Sequence, residues 1–378
     1  MYVNKRKCVL IFSGFNQRAI VSFLRTLNEK KVDYAIIAKS KDDDIFLTKY
    51  KDKVLAIRNS VTLILDDLLS TIKEVKEQCN EREYIIAPTT EALNRLLIEE
   101  RKSFEKIGCI IPLVEKELYE LVSDKYSFGE ICLQNHIIVP KKFEFSLNLT
   151  LPIVAKPKKY FSSSRREVLS PIIIKDSEEL ELFYKNYNTE DFYYQEFLEG
   201  RSLYLLYYFH RNGMIYKFSQ ENLVQQPEGK SMLAAISTNF HNSEESYKYE
   251  KLFQSFKFNG LVMVEVKQKD NVNYMIEANP RFWGPSQLFV DAGVNFFEAF
   301  LHDYGLIESL PKLKPIKNPI KYFWLGGIMM TLKNNLNLNF YNIVENEFLN
   351  FLPKWIENDI YRRNDTIEIF KKEFLNGR

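Results

Sequence analysis

Tyr274-Met275-Ile276-Glu277-Ala278-Asn279-Pro280-Arg281 closes an apolar run with a carboxylate and a carboxamide two positions apart and a guanidinium just behind them. In an extended strand, residues i and i+2 share a face, so Glu277 and Asn279 are expected to present their oxygens side by side while Ile276 and Ala278 face the other way. A second apolar run, Leu261-Val262-Met263-Val264-Glu265-Val266, carries one acid, Glu265, among residues expected to be buried. The link from Lys267 to Asn273 is short, polar and rich in Asp and Asn. The two runs therefore read as a hairpin that brings Glu265 beside Glu277. Three hard oxygen donors on neighbouring strands suit magnesium, which binds through a few carboxylates and takes its other ligands from water and phosphate. The cluster points to a nucleoside triphosphate.

At 378 residues the chain is long enough for two or three domains. Hydrophobic residues at 46% and charged residues at 27% exclude a disordered chain. Lys and Arg number 52 against 50 Asp and Glu, a net +2, so no basic field recommends nucleic acid as a partner. Cys8, Cys79, Cys109 and Cys132 are scattered without a C-x-x-C pair, which argues against a disulfide framework or a structural zinc site and fits a reducing cytoplasm. The apolar stretch after Lys7 is broken by Ser13-Gly14 and Asn16, unlike a signal peptide, and no run reaches transmembrane length. The four histidines show no metal or triad spacing, and no nucleophile elbow is visible, so no covalent protein intermediate is expected.

Val9 to Phe12, a helical stretch from Gln17 to Lys30, and Tyr34 to Ala38 form a strand, helix, strand unit. The rhythm repeats through Val54–Ile57, a helix near Leu63 to Cys79, Tyr84–Ala87, a helix from Glu91, and Cys109–Ile111, which predicts a small parallel sheet covered by helices. The loop Ser13 to Asn16 is not G-x-G-x-x-G, so no dinucleotide site is read there. One helical pattern runs from Lys116 to His136. A compact unit follows, with strands over Pro152–Lys156 and Ser170–Lys175 and a helix over Glu178–Lys185. Strands are expected over 192–198, 203–209 and 214–219, then a helix from Glu244 to Phe256 and the hairpin. A Lys- and Pro-rich connection over 307–319 leads to an amphipathic helix over 345–374 that closes the chain.

Glu265 followed by Glu277-Ala278-Asn279-Pro280-Arg281-Phe282-Trp283-Gly284 resembles the metal-binding end of the ATP-grasp ligases, in the branch similar to carbamoyl-phosphate synthase. The resemblance covers roughly the first 300 residues. It implies an α/β protein, α+β in its carboxyl-terminal half: a Rossmann-like pre-ATP-grasp domain over 1–115, a small lid subdomain with its linking helix over 116–191, a large subdomain over 192–306, and a carboxyl-terminal connection and helical extension over 307–378. Glu265, Glu277 and Asn279 would hold magnesium, with manganese as an alternative. Lys125, in Ser123-Asp124-Lys125, and Lys156, held where an apolar strand meets Pro157, would contact the phosphates of ATP. The family's glycine-rich loop is replaced by Lys158 to Arg166, which has no glycine; Ser163 and Ser164 are its candidate phosphate contacts. Gln195, Glu196, Phe197 and Leu198 resemble the hinge that reads adenine, with backbone groups of Glu196 and Leu198 and the side chain of Gln195 or Glu196 as donors and acceptors, and Ser202 as a ribose contact. Lys230, in the turn from Gln225 to Ser231, would meet the γ-phosphate or an acyl phosphate. Arg281 would neutralise charge on the transferred phosphoryl group; the alternative is an ion pair with Glu265 or Glu277.

The activity implied is ATP-dependent carboxylate–amine ligation through an acyl phosphate, with small-molecule substrates. A nucleotide-binding regulator or scaffold without turnover and a carboxylate kinase are the alternatives. The amino-terminal sheet and the aromatic-rich tail offer surfaces for a homodimer.

Overall fold

The computed structural model describes residues 6–79, 82–146, 149–164, 167–311 and 319–376. Arg165 and Arg166 of the basic loop, and most of the Lys- and Pro-rich connection, lie outside the described residues.

The amino-terminal runs form five parallel strands: β1 (Arg6–Phe12), β2 (Tyr34–Ala38), β3 (Val54–Ile57), β4 (Arg82–Ile86) and β5 (Cys109–Ile110). Their order is β3-β2-β1-β4-β5. Alternation along β1 sorts its side chains between two layers. Val9 and Ile11 meet Ile20, Phe23, Leu24 and Leu27 of the helix Gln17–Glu29, while Cys8, Leu10 and Phe12 meet the helices Leu65–Gln78 and Glu91–Glu99. Burial on both faces is why these strands are unbroken apolar runs.

The single helix expected over 116–136 is two, Lys116–Ser123 and Lys125–Gln134, because Asp124 leaves helical geometry at φ −79°, ψ 115°. Arg95 holds the break, donating to Ser123 Oγ at 2.8 Å and Asp124 Oδ1 at 2.6 Å.

A small antiparallel sheet follows: β6 (Lys142–Phe143), β7 (Ile153–Pro157), β8 (Ile172–Ile174) and β9 (Phe192–Glu196), ordered β6-β9-β7-β8. It packs Ile153, Ala155 and Tyr194 against Leu180 and Phe183 of the helix Ser177–Asn186, whose amino end Asp176 caps.

The third sheet comprises β10 (Arg201–Phe209), β11 (Ile215–Gln225), β12 (Met232–Thr238), β13 (Gly260–Lys269), β14 (Val272–Asn279), β15 (Lys321–Phe323) and β16 (Asn339–Phe340). Its order is β14-β13-β10-β11-β12-β15, and β16 pairs with Val224 and Gln225 of β11, beyond the last β10 partner at Asn222. One face, with Leu205, Tyr207 and Val264, buries Phe128, Tyr249 and Phe253 from two helices. The other, with Leu206, Tyr208 and Met263, shares a continuous core with the amino-terminal unit. Asn16, at a left-handed φ of 54°, fastens that junction by donating to the carbonyls of Thr89 (2.8 Å) and Phe282 (3.1 Å).

Three further differences from the sequence reading stand out. The strand expected over 214–219 runs on to Gln225, and β12, β15 and β16 complete the sheet. The helix expected over 345–374 is three short ones, Glu345–Asn350, Leu352–Ile356 and Ile367–Asn376. Pro353 opens the second, and Asp359 holds the turn after it by accepting from the backbone of Leu325 (2.6 Å) and Tyr361 (2.8 Å). Third, β14 is bulged, with a consequence for the site.

Candidate active site

Glu265 of β13 lies opposite Glu277 of β14 on one side and opposite Tyr204 of β10 on the other. The register then slips, so that Val266 faces Met275 and Ile276 is one residue too many. Regular alternation around Glu277, as read from the sequence, therefore fails at Ile276. Met275 and Ala278 join the helix-covered core, while Glu277 and Asn279 line a cavity of about 1240 Å³ between the amino-terminal unit and the third sheet. The bulge also leaves the Ile276 carbonyl free of the ladder, and it accepts from the Lys156 ammonium at 3.1 Å.

Lys125, first residue of its helix, reaches across to Glu277 Oε2. Asn279 donates to Glu277 Oε1 at 2.6 Å, and Arg281 Nη2 donates to Asn279 Oδ1 at 3.4 Å. Arg281 Nη1 donates to the Phe282 carbonyl at 3.0 Å, while its Nε has no partner among the described residues. Glu265, Glu277, Asn279, Lys125, Lys156 and Arg281, far apart in sequence, are thus brought to one place.

Their ionisation reflects that crowding. Burial works to raise Glu277, but the Lys125 ammonium and the Asn279 amide outweigh it and hold the carboxyl well below its usual range. Glu265 is pushed up, by burial first and then by the Glu277 charge. Burial, reinforced by Lys125, brings Lys156 down to about 8. Two adjacent carboxylates whose acidities are driven apart, with an amide oxygen beside them, form a donor set suited to a hard divalent cation, which would relieve the repulsion. Among the described residues no group of three or more His, Cys, Asp or Glu is gathered for a metal. The candidate is this smaller set of two carboxylates and one amide.

The remaining sequence candidates are less concentrated. Lys230 follows the turn Pro227–Gly229 and lines the same cavity as Glu277 and Arg281. Gln195 is buried, its amide 3.4 Å from the Pro140 carbonyl. Both the backbone N–H and the Oε1 of Glu196 are engaged by Lys141, because β9 is an interior strand of the small sheet; that N–H is not open to a base. Phe197 is half-buried and Leu198 buried at the turn into β10. Ser202 is fully buried and accepts from Asn222 at 2.9 Å. Ser163 binds the carboxylate of Asp191 through its backbone N–H (3.3 Å) and its hydroxyl, and Ser164 turns back on Ser162. It is Tyr160, Phe161 and Val168 of this segment that line the cavity.

Two contributors escaped the sequence reading. Arg95, bound to Glu91 at 2.7 Å and stacked 4.7 Å from the Tyr160 ring, fixes the helix break that aims Lys125. Lys267, two residues along from Glu265 on the same face, lies 3.6 Å from the ring centroid of Tyr341, whose hydroxyl donates to Gln225 at 3.1 Å. Neither has a local motif, since each depends on a partner distant in sequence.

No protein-family model and no curated protein matches the chain. Solved structures do. N5-carboxyaminoimidazole synthetase from Staphylococcus aureus is 16% identical, with a TM-score of 0.63 over 94% of this chain and 100% of that one. The ADP complex of N5-carboxyaminoimidazole ribonucleotide synthetase is 13% identical, with a TM-score of 0.61 over 88% and 85%. The biotin carboxylase domain of 2-oxoglutarate carboxylase from Hydrogenobacter thermophilus, in complex with MgADP, ADP and bicarbonate, is 15% identical, with a TM-score of 0.59 over 82% and 72%. This chain has the same fold, the ATP-grasp fold that its Glu277 to Gly284 motif resembles.

Proposed function

We propose that this ATP-grasp chain is an ATP-dependent carboxylate–amine ligase. Supporting it above all is the convergence of two carboxylates, an amide, two lysines and an arginine beside a cavity, lined by Glu277, Asn279 and Arg281, that is large enough for a second substrate. Glu265, Glu277 and Asn279 would hold magnesium, which when bound offsets charge on the phosphates and on the oxygens around the transferred phosphorus. Lys125 and Lys156 bind and orient the phosphates, exchanging their present partners Glu277 and the Ile276 carbonyl for phosphate oxygens. Arg281, already placed beside Asn279, steadies the transferred group, and Lys230 meets it from the turn above. A substrate carboxylate oxygen attacks the γ-phosphorus as the bond to the bridging oxygen breaks, giving an acyl phosphate and ADP. The amine nitrogen then attacks the acyl carbon, phosphate departs with the C–O electrons, and the nitrogen loses a proton. The aromatic segment Tyr160–Phe161 over the cavity serves to exclude water, which would otherwise hydrolyse the acyl phosphate.

All three of these similar structures are of enzymes with carboxylase or carboxy in their names, and one of them holds bicarbonate. That favours a second reading of the carboxylate: bicarbonate itself, with a carbamate as product. The test is ADP release with Mg-ATP, pooled amines, and either bicarbonate or pooled carboxylic acids, with product analysis. Amide formation supports the ligase, carbamate formation the second reading. ADP release with an acyl phosphate trapped by hydroxylamine and no amide would instead indicate a kinase, and binding of ATP without ADP release from any pool would contradict both readings.

A further inference from the structure

The carboxyl ends of the amino-terminal strands open onto the cavity that Glu277 and Arg281 line. In the order β3-β2-β1-β4-β5, the chain leaves β1 toward β2 on one side and returns to β4 on the other. The crevice beside such a switch point, outside the carboxyl ends of the strands, is where open α/β sheets hold ligands. Here it is walled by Ser13 and Phe15 after β1, Thr89 after β4 and Leu63 beyond β3.

Arg58, the residue after β3, also lines this crevice and is only 5% exposed. None of its three guanidinium nitrogens has a hydrogen-bond partner among the described residues. The acids nearest in charge effect are Asp43 and Asp67, and both are committed elsewhere. Asp43 accepts from Ser13 Oγ (2.7 Å), Lys39 N (2.9 Å) and Ile45 N (3.0 Å). Asp67 accepts from Asn59 N (3.0 Å), Asn59 Nδ2 (2.9 Å) and Ser60 N (3.1 Å). A buried guanidinium with five unused donors is costly, and its usual remedy is a carboxylate or phosphate. Other cations on this cavity are engaged: Arg18 by the Met232 carbonyl at 2.8 Å and Arg95 by Glu91 and Asp124.

We infer that Arg58 forms an anion subsite, and that the substrate joined beside Glu277 carries a second anionic group, a carboxylate or a phosphate. This rests on the ligase reading for what happens beside Glu277. The guanidinium lies in the cavity wall, so the anion settles against it by displacing the Phe15 ring, which is 46% exposed and centred 6.0 Å from the guanidinium carbon. Apolar side chains, Phe12, Leu93 and Leu96 among them, also line the cavity and suit a carbon skeleton.

The test needs no nucleotide. Thermal midpoints of the full chain are measured with inorganic phosphate, succinate, and acetate as the singly charged control, for wild type, Arg58→Met and Lys156→Gln. Phosphate or succinate should raise the wild-type midpoint by about 3 °C at tenfold saturation, with acetate giving less. Arg58→Met should lose that rise, and its unliganded midpoint should hold or increase, since a buried unpaired charge has been removed. Lys156→Gln should keep the rise, which separates this site from the phosphate site of ATP. A larger response to succinate identifies a dicarboxylate, and a larger one to phosphate a phosphorylated acid. Arg58→Lys, which keeps charge but not the fork, should bind about threefold or more weakly and serves if Arg58→Met does not fold. No wild-type shift, a shift undiminished in Arg58→Met or in Arg58→Lys, or one lost only in Lys156→Gln overturns the inference. So does a fall in the unliganded Arg58→Met midpoint, which would make Arg58 a structural ion. Failure of the ligase reading looks different: no ADP release from any pool, with Arg58-dependent stabilisation intact.

Discussion

Two segments face the cavity near Lys156, and they are built on opposite plans. At the β13–β14 hairpin the groups of the cluster hold one another: Glu277 is bound by Lys125 and Asn279, Asn279 by Arg281, and Lys156 by the bulge carbonyl. In the segment after β7, among the described residues, Ser162 and Ser163 meet the carboxylate of Asp191, Ser164 turns back on Ser162, and a bridge pairs Phe161 with Val168. The first is fixed in advance of any ligand, as electrostatic catalysis requires. The second is held by contacts weak enough to exchange, which suits a cover that closes on substrate.

The contrast can be broken hardest at the hairpin. Glu277→Ala should lower ATP-dependent turnover by about a thousandfold, because it removes a metal donor and the carboxylate partner of Lys125. Steady-state ADP release measures it, with circular dichroism confirming the fold. Arg281→Ala should cost about a hundredfold in kcat with a smaller change in the KM for ATP; an effect confined to KM would place Arg281 with the ground-state binders.

Acid–base behaviour gives an intermediate effect. Lys156 ionises at about 8, below the ordinary 10.5, because of burial and the Lys125 charge. The native state therefore sheds this proton first, and stability on its account rises between about pH 8 and 10.5. Polyphosphate favours the ammonium, so nucleotide binding should take up a proton above pH 8 and weaken by about tenfold from pH 8 to 9.5. Calorimetry in buffers of different ionisation enthalpy would show it, and Lys156→Gln should flatten the profile.

The smallest effect belongs to the cover. Asp191→Ala should raise KM by about threefold with kcat nearly unchanged. A hundredfold loss of kcat would mean that the loop is as preorganised as the hairpin.

The same contrast explains what was legible in the sequence. The hairpin's chemistry is contiguous: Glu277, Asn279 and Arg281 lie within five residues, and Glu265 sits one short turn away. The alternation of strands and helices up to Ile110 was equally plain, because two-sided burial leaves unbroken apolar runs. Features set by distant partners were not readable. Arg95 breaks the helix at Asp124, the bulge at Ile276 arises from the pairing of β13 with β14, and Asp191 claims Ser163 from outside the loop. The short β15 and β16 exist because the edge of β12 and the end of β11 need partners, which a two- or three-residue run cannot announce. Arg58 belongs to no motif, since only the folded chain shows that its guanidinium is buried without a hydrogen-bond partner among the described residues.

The most direct measurement is calorimetric titration of ATP, with and without magnesium, into wild type and into the double variant Glu265→Gln, Glu277→Gln. The account predicts that magnesium strengthens wild-type binding by at least about tenfold and leaves the double variant unchanged. Equal magnesium dependence in both proteins would contradict it.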